Sequence, residues 1–184
     1  MRERVLDLGI GFGGDYLLND PQGAFRVGME NDKRNLRNSP EIKGGGNHLL
    51  LGDASLDLPF QDQAFKRIQA LFPKGKLLLG LCGYDGSLWP ELDRVLRDEG
   101  EIEVFTSVAA WGTTWTDRGD GFVVVPLPHW RIWWASRRAG FESELEGISR
   151  EEVKALGTKA SYYTFDRMGA TFPDRAYVIR ARKK

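Results

Sequence analysis

Short apolar runs, broken by glycine, proline and polar residues, set the pattern of this chain. Val5 to Gly9 reads as a buried strand that ends in glycines. Phe25 to Glu30, His48 to Gly52 and Arg67 to Phe72 repeat the pattern, the last being stopped by Pro73. Asp15 to Leu18 predicts a short helix ended by Asn19-Asp20-Pro21. Leu88, Trp89, Leu92, Val95 and Leu96 recur at helical spacing and predict a helix over Leu88 to Arg97, closed by Asp98-Glu99-Gly100. Glu101 to Thr106 alternates polar and apolar residues as a fifth strand. Ser107 to about Gly121 is rich in Gly, Thr and Trp and reads as a loop. Trp130 to Ala139 predicts a helix closed by Gly140, with Trp130, Trp133 and Trp134 spaced as a buried face. Phe141 to Glu146 and Ala176 to Ala181 read as the last strands. Strands alternating with helices predict an α/β fold on a parallel sheet. With no repeat and no linker, residues 1–184 read as one domain.

Composition narrows this picture little. The chain has 184 residues, 41% hydrophobic and 28% charged, with formal net charge zero. Nucleic-acid binding would therefore rest on local patches, not on a global basic field. One cysteine, Cys82 in an apolar run, excludes a disulfide framework and a cysteine-rich zinc site. No apolar stretch is long enough to span a membrane, and no signal-like segment precedes the first strand. A cytoplasmic monomer without a metal is the expectation. His48 and His129 have no partner in the sequence and read as structural residues.

The chemistry concentrates at the start of the chain. Gly9, Gly11 and Gly13 follow the first strand directly, where glycine lets backbone approach a ligand closely. Gly9, Gly11 and Gly14 fit a dinucleotide fingerprint as well. Either reading wants an acid at the end of the next strand, about 20 residues on, and Glu30 stands there. Three further features divide the two readings. Asp7 precedes the glycines. Gly52-Asp53-Ala54 is followed by Leu58-Pro59-Phe60-Gln61-Asp62-Gln63-Ala64-Phe65. Leu88 to Glu101 forms a helix and turn.

In that order and spacing, residues 4 to 106 resemble the class I S-adenosylmethionine (SAM)-dependent methyltransferases. The resemblance implies a Rossmann-like α/β fold, with a central, mostly parallel seven-stranded sheet and helices on both faces. It also implies SAM as cofactor, held by Asp7, Gly9, Gly11, Gly13, Glu30, Asn31, Asp53, Ala54, Leu71 and Phe72. Ile10 and Phe12 stand where the family places smaller side chains or other residues.

Leu71-Phe72-Pro73-Lys74-Gly75-Lys76-Leu77-Leu78-Leu79-Gly80 resembles a narrower group. These are the aminoglycoside-resistance methyltransferases that modify N1 of a decoding-site adenine in 16S rRNA. Arg167-Met168-Gly169, shortly before the last strand, also fits that group. The resemblance implies 16S rRNA in the 30S subunit as partner. Lys74, Trp115, Tyr162 and Tyr163 would position the target base. Lys33, Arg34, Arg37, Lys43, Arg167 and Arg175 would meet phosphates. Lys74 stands where the group has a stacking tryptophan, and flipped bases need such platforms. A methyltransferase of tRNA or of a small molecule, and a SAM-binding protein without catalysis, are the alternatives.

Overall fold

The computed structural model describes residues 3–9, 24–31, 47–54, 57–84, 87–107, 109–116, 119–149, 151–152 and 175–184. For residues 47, 49, 107, 109–116, 119–124 and 175 it describes the backbone alone. Nine strands are described: β1 (Arg4–Leu8), β2 (Phe25–Glu30), β3 (Asn47–Leu51), β4 (Phe65–Leu71), β5 (Leu96–Ser107), β6 (Ala109–Thr116), β7 (Gly119–Pro126), β8 (Glu142–Ser149) and β9 (Arg175–Arg182). The described helices are α1 (Gly75–Leu81), α2 (Trp89–Val95) and α3 (Pro128–Arg138). None of them is long and apolar enough to cross a membrane.

Seven strands make one sheet in the order β3-β2-β1-β4-β5-β9-β8. The pairs from β3 through β5 are all parallel. β9 runs antiparallel to both its neighbours, β5 and β8. The expected mostly parallel seven-stranded sheet is present. β6 and β7 form a separate antiparallel hairpin that lies against α1.

Period-two alternation divides the sheet into two faces. Leu6, Leu8, Ile68, Ala70, Ile102, Val104, Ile179 and Ala181 share one face and form the main core with α1, α2 and α3. Residues between them in sequence face the other way and are largely polar. Helices were expected on both faces. Those described cover one, and the segment predicted to form the Asp15–Leu18 helix lies outside the described residues.

Four local expectations need correction. The span Ser107 to Gly121, expected as a loop, supplies β6 and the start of β7, because threonine and tryptophan favour extended backbone and Ala110, Trp111 and Gly112 pair with the valine run 123–125. The helix expected to reach Arg97 stops at Val95, since Leu96 is already extended and pairs with Phe65. The ladder then shifts register before Arg67 meets Glu101. Gly75–Leu81, which carried no helix assignment, forms α1. The tryptophans of α3 do not make a buried face. Pro128, His129, Ile132 and Ser136 do, while Trp130 is 52% and Trp134 59% exposed. The i, i+3, i+4 spacing was real, but His129, Ile132 and Ser136 mark a different side of the helix.

Hydrogen bonds lock the helical layer together. The buried Trp89 indole N–H donates to the Leu81 carbonyl at 2.9 Å, tying α2 to the end of α1. Ser136 on α3 donates to the Ser143 hydroxyl of β8 at 2.8 Å.

A candidate cofactor site at the carboxyl edge of the sheet

Parallel strands β1 to β4 end at one edge, and the strand order reverses at β1, with β2 and β3 on one side and β4 and β5 on the other. Ligands of open α/β sheets bind outside such a reversal. Gly9 leaves β1 there with φ +64, a conformation that favours glycine. A Cβ at Gly9 would come within 2.8 Å of Leu77 Cδ2 on α1. The Gly9 N–H donates to the Met29 carbonyl at 2.9 Å, so the loop starts bonded to β2.

Glu30 closes β2 and is buried. Its carbonyl accepts from the Gly52 N–H at 3.0 Å, which holds the end of β3 beside it. Asn31 follows, exposed in a bend. Asp53 is half-buried and Ala54 buried just beyond β3. Leu71 ends β4, half-buried. Phe72 turns sharply with φ 47, is buried, and donates its N–H to the Phe105 carbonyl at 2.8 Å. Pro73 leads to Lys74, the exposed N-cap of α1. Partial desolvation holds the Lys74 ammonium below the ordinary lysine range.

The structure thus brings Gly9, Glu30, Asn31, Asp53, Ala54, Leu71, Phe72 and Lys74 to one edge of the sheet. Arg175 opens β9 at the same edge, since its neighbour Ala176 pairs with Ser107 at the end of β5. Trp115 pairs with Asp120 near the closed end of the β6–β7 hairpin. Gly11, Gly13, Lys33, Arg34, Arg37, Lys43, Tyr162, Tyr163 and Arg167 lie outside the described residues, as do Ile10 and Phe12.

Asp7 has a second occupation. It is the penultimate residue of β1, on the face away from the helices. Arg26 Nη1 reaches its two carboxylate oxygens at 3.2 and 3.3 Å, with both side chains buried. The same nitrogen donates to Gln69 Oε1 at 3.2 Å. Gln69 Nε2 donates to Glu103 at 2.7 Å, and Arg180 bridges Glu103 to Glu146. One polar chain therefore runs under the site from β2 to β8. The sequence signal for it was Arg26, a charge within an otherwise apolar strand.

The segment Leu58 to Phe65 and helix α2, separate motifs in sequence, are one unit in space. Arg94 donates to the carbonyls of Leu58 and Phe60 at 2.8 and 2.7 Å and pairs with Asp62 at 2.8 Å and Glu91 at 2.7 Å. Glu91 in turn accepts from the Leu58 N–H at 3.1 Å. The Arg94 hydrogen bond, with help from Leu58, holds the Glu91 carboxyl below its usual range. These residues fasten the chain between the ends of β3 and the start of β4.

His48 is exposed on β3 with its ring 4.8 Å from Phe25. His129 is buried and stacks on Tyr177 at 3.9 Å. Burial pushes the Cys82 thiol up to about 12, consistent with an inert thiol. Among the described residues no group of His, Cys, Asp and Glu is placed to hold a metal ion.

No protein-family model matches the sequence, and no curated protein matches it. Solved structures do match over nearly the whole chain. The 16S rRNA methyltransferase KamB superposes with a TM-score of 0.71 at 17% identity, covering 99% of this chain and 88% of that one. An S-adenosylmethionine-dependent methyltransferase from Listeria monocytogenes, known as such only provisionally, gives 0.65 at 13% identity, covering 100% and 92%. The [4+2]-cyclase SpnF gives 0.61 at 18% identity, covering 99% and 75%. At these identities the likeness shows the fold: the Rossmann-like fold found in SAM-dependent methyltransferases. SpnF is a reminder that one fold can carry different chemistry.

Proposed function

We propose that this chain is a SAM-dependent methyltransferase whose cofactor sits at the carboxyl edge of the sheet. The observation that carries the reading is the meeting of Gly9, held at φ +64, and the buried acid Glu30 where the strand order reverses. The residues fit the cofactor's chemistry. Gly9, Gly11 and Gly13 would let backbone approach the amino-acid end. Glu30 would accept hydrogen bonds from ribose hydroxyls, as an acid at this place does in nucleotide sites. Asn31, Asp53, Ala54, Leu71 and Phe72 would line the adenosine, Asp53 offering an acceptor and Phe72 an apolar wall. Asp7, held by Arg26, supports the loop from below. Bound SAM supplies an electrophilic methyl group on a sulfonium.

The proposed acceptor is N1 of a decoding-site adenine in 16S rRNA, within the 30S subunit. That nitrogen carries an in-plane lone pair free at neutral pH, so alignment alone can do much of the work and no catalytic base is required. Lys74 heads α1 beside Phe72, where its ammonium can lie over a purine face, a contact worth about 0.5–2 kcal/mol. Trp115, Tyr162 and Tyr163 would complete the stacking surface. Lys33, Arg34, Arg37, Lys43, Arg167 and Arg175 would meet phosphates. Lys74 in place of a stacking tryptophan favours a second reading: transfer to tRNA or a small molecule, or SAM binding without transfer.

Calorimetry with SAM and with S-adenosylhomocysteine tests the cofactor. Binding of both at micromolar affinity is expected, and binding of neither overturns the proposal. Incubation of purified 30S subunits with SAM, followed by mapping of reverse-transcription stops, tests the acceptor. A stop at the decoding-site adenine supports it. Methyl incorporation elsewhere, or none with SAM bound, favours the second reading.

A further inference from the structure

The outer face of α3 has a composition unlike the rest of the described surface. Trp130 and Trp134 are more than half exposed, Leu127 at the helix start is 53% exposed, and Tyr84 is 39% exposed. Exposed tryptophan pairs are uncommon on a surface with no partner. The face is also basic. The helix sequence PHWRIWWASRR has three arginines and no acid. The neighbouring strand β8 turns Ser143 and Leu145 toward the helical side, while Glu146 joins Arg180 on the opposite face of the sheet.

The arginines themselves differ from others in the molecule. Arg26, Arg67, Arg94, Arg180 and Arg182 each meet a carboxylate. Among the described residues no carboxylate pairs with Arg131, Arg137 or Arg138. Two of the three lie against rings instead. The Arg137 guanidinium stands 5.1 Å from the Trp133 ring centre, and Arg131 stands 5.3 Å from that of Tyr84. Trp130 meets Trp133 edge-on at 5.5 Å, so the aromatic groups form a stepped surface, not a closed stack.

We infer that this face of α3 is a docking surface for single-stranded RNA. It combines exposed aromatic planes with cations that lack carboxylate partners, which is the chemistry that takes bases and phosphates together. A purely apolar protein partner would leave the three guanidinium groups without counter-charge. Pro126, just before α3, pairs with Ala109, just after β5 ends at the carboxyl edge, so the start of this surface lies beside the edge that bears the proposed site. The inference deepens the proposed RNA substrate and rests on that reading for its role: α3 would hold RNA flanking the target base.

The test uses the full chain and a fluorescein-labelled 12-nucleotide RNA of mixed sequence, read by anisotropy across a salt series. The double variant Trp130→Ala, Trp134→Ala should weaken binding about tenfold or more. Arg131→Ala, Arg137→Ala, Arg138→Ala should flatten the slope of log affinity against log salt by about 2. Both variants should keep the wild-type circular dichroism spectrum and SAM affinity. Loss of fold is not expected, since these side chains are exposed; Trp130→Phe, Trp134→Phe, which keeps ring faces, should retain most of the binding. RNA affinity unchanged within twofold in both variants overturns the inference. So does a concentration-dependent dimer that dissociates when the tryptophans are removed, because the face would then belong to a second copy. SAM binding with RNA binding insensitive to these variants fails this inference alone. RNA binding through this face without SAM binding fails the cofactor reading and leaves this one standing.

Discussion

The two faces of the central sheet solve burial in opposite ways. The face under α1, α2 and α3 is packed mainly with apolar side chains, from Leu6 on β1 to Ala181 on β9. The other face carries a smaller apolar cluster around Phe105 and Val178, and beside it Asp7, Gln69, Glu103 and Arg180 at successive strands, joined by Arg26 and Glu146 into one chain of hydrogen bonds. This chain changes character along its length. Asp7, Arg26 and Gln69 are buried, whereas Arg180 and Glu146 have side chains 32% and 58% exposed. The apolar face gains stability from area removed from water. The polar face gains little net energy from its pairs, but at the buried end a missing partner would leave a bare charge. Asp7, at that buried end, stands two residues before Gly9 on β1, so a lost partner there would be felt next to the glycine turn.

That contrast can be tested by removing one part at a time. Trp89→Ala in the apolar layer should cost about 3–5 kcal/mol, read as a shifted urea midpoint. Arg26→Ala should cost about 3 kcal/mol by leaving the Asp7 carboxylate uncompensated, and Arg26→Met with Asp7→Asn should recover most of it. If Arg26→Ala alone is silent, the polar chain does not support the loop. Glu91→Gln sits at the margin between layers, and its cost at neutral pH should be at most about 1 kcal/mol. Its pH dependence has a defined sign. The folded-state pKa of Glu91 lies below the ordinary 4.5, so its contribution is complete above that value and fades as pH falls through the lowered one. Wild-type and Glu91→Gln stability curves should therefore converge in acid; curves that stay parallel would exclude the Arg94 bond as the cause. Arg180→Ala, at the exposed end of the polar chain, should cost about 0.5 kcal/mol or less in thermal melts.

The strands were legible because each carried a clear break. Glycine after Leu8, Asn31 after Glu30 and Pro73 after Phe72 mark three strand ends within a residue or so of where they occur. Helix α1 was hidden because Leu77-Leu78-Leu79 has no period, and a short apolar run suits strand and helix alike. The hairpin was hidden because its glycines and threonines read as turn residues, although its valine run pointed to a strand. On α3 the spacing of the tryptophans was read correctly and their direction wrongly. Side chains at helical spacing share a face, but only contacts say which face is inward, and here Ile132 and Ser136 claimed it. At the site, Gly9 and Glu30 were legible because turn geometry and strand length fix them. The engagement of Asp7 with Arg26, and of Arg94 with the Leu58–Asp62 segment, depends on cross-strand register and long-range packing that sequence spacing does not encode.

The position of β9 has a consequence for how the chain is assembled. β8 is made before β9, yet among the described strands its neighbour in the sheet is β9 alone. While translation proceeds, β5 and β8 both wait with open hydrogen-bonding edges until β9, the strand that joins them, emerges. A nascent chain stalled before Arg175 exposes two strand edges at once, the condition under which strands pair with the wrong molecule. β9 works as a wedge that closes the sheet, so termination before Arg175 should yield an aggregating product rather than a slightly shortened protein.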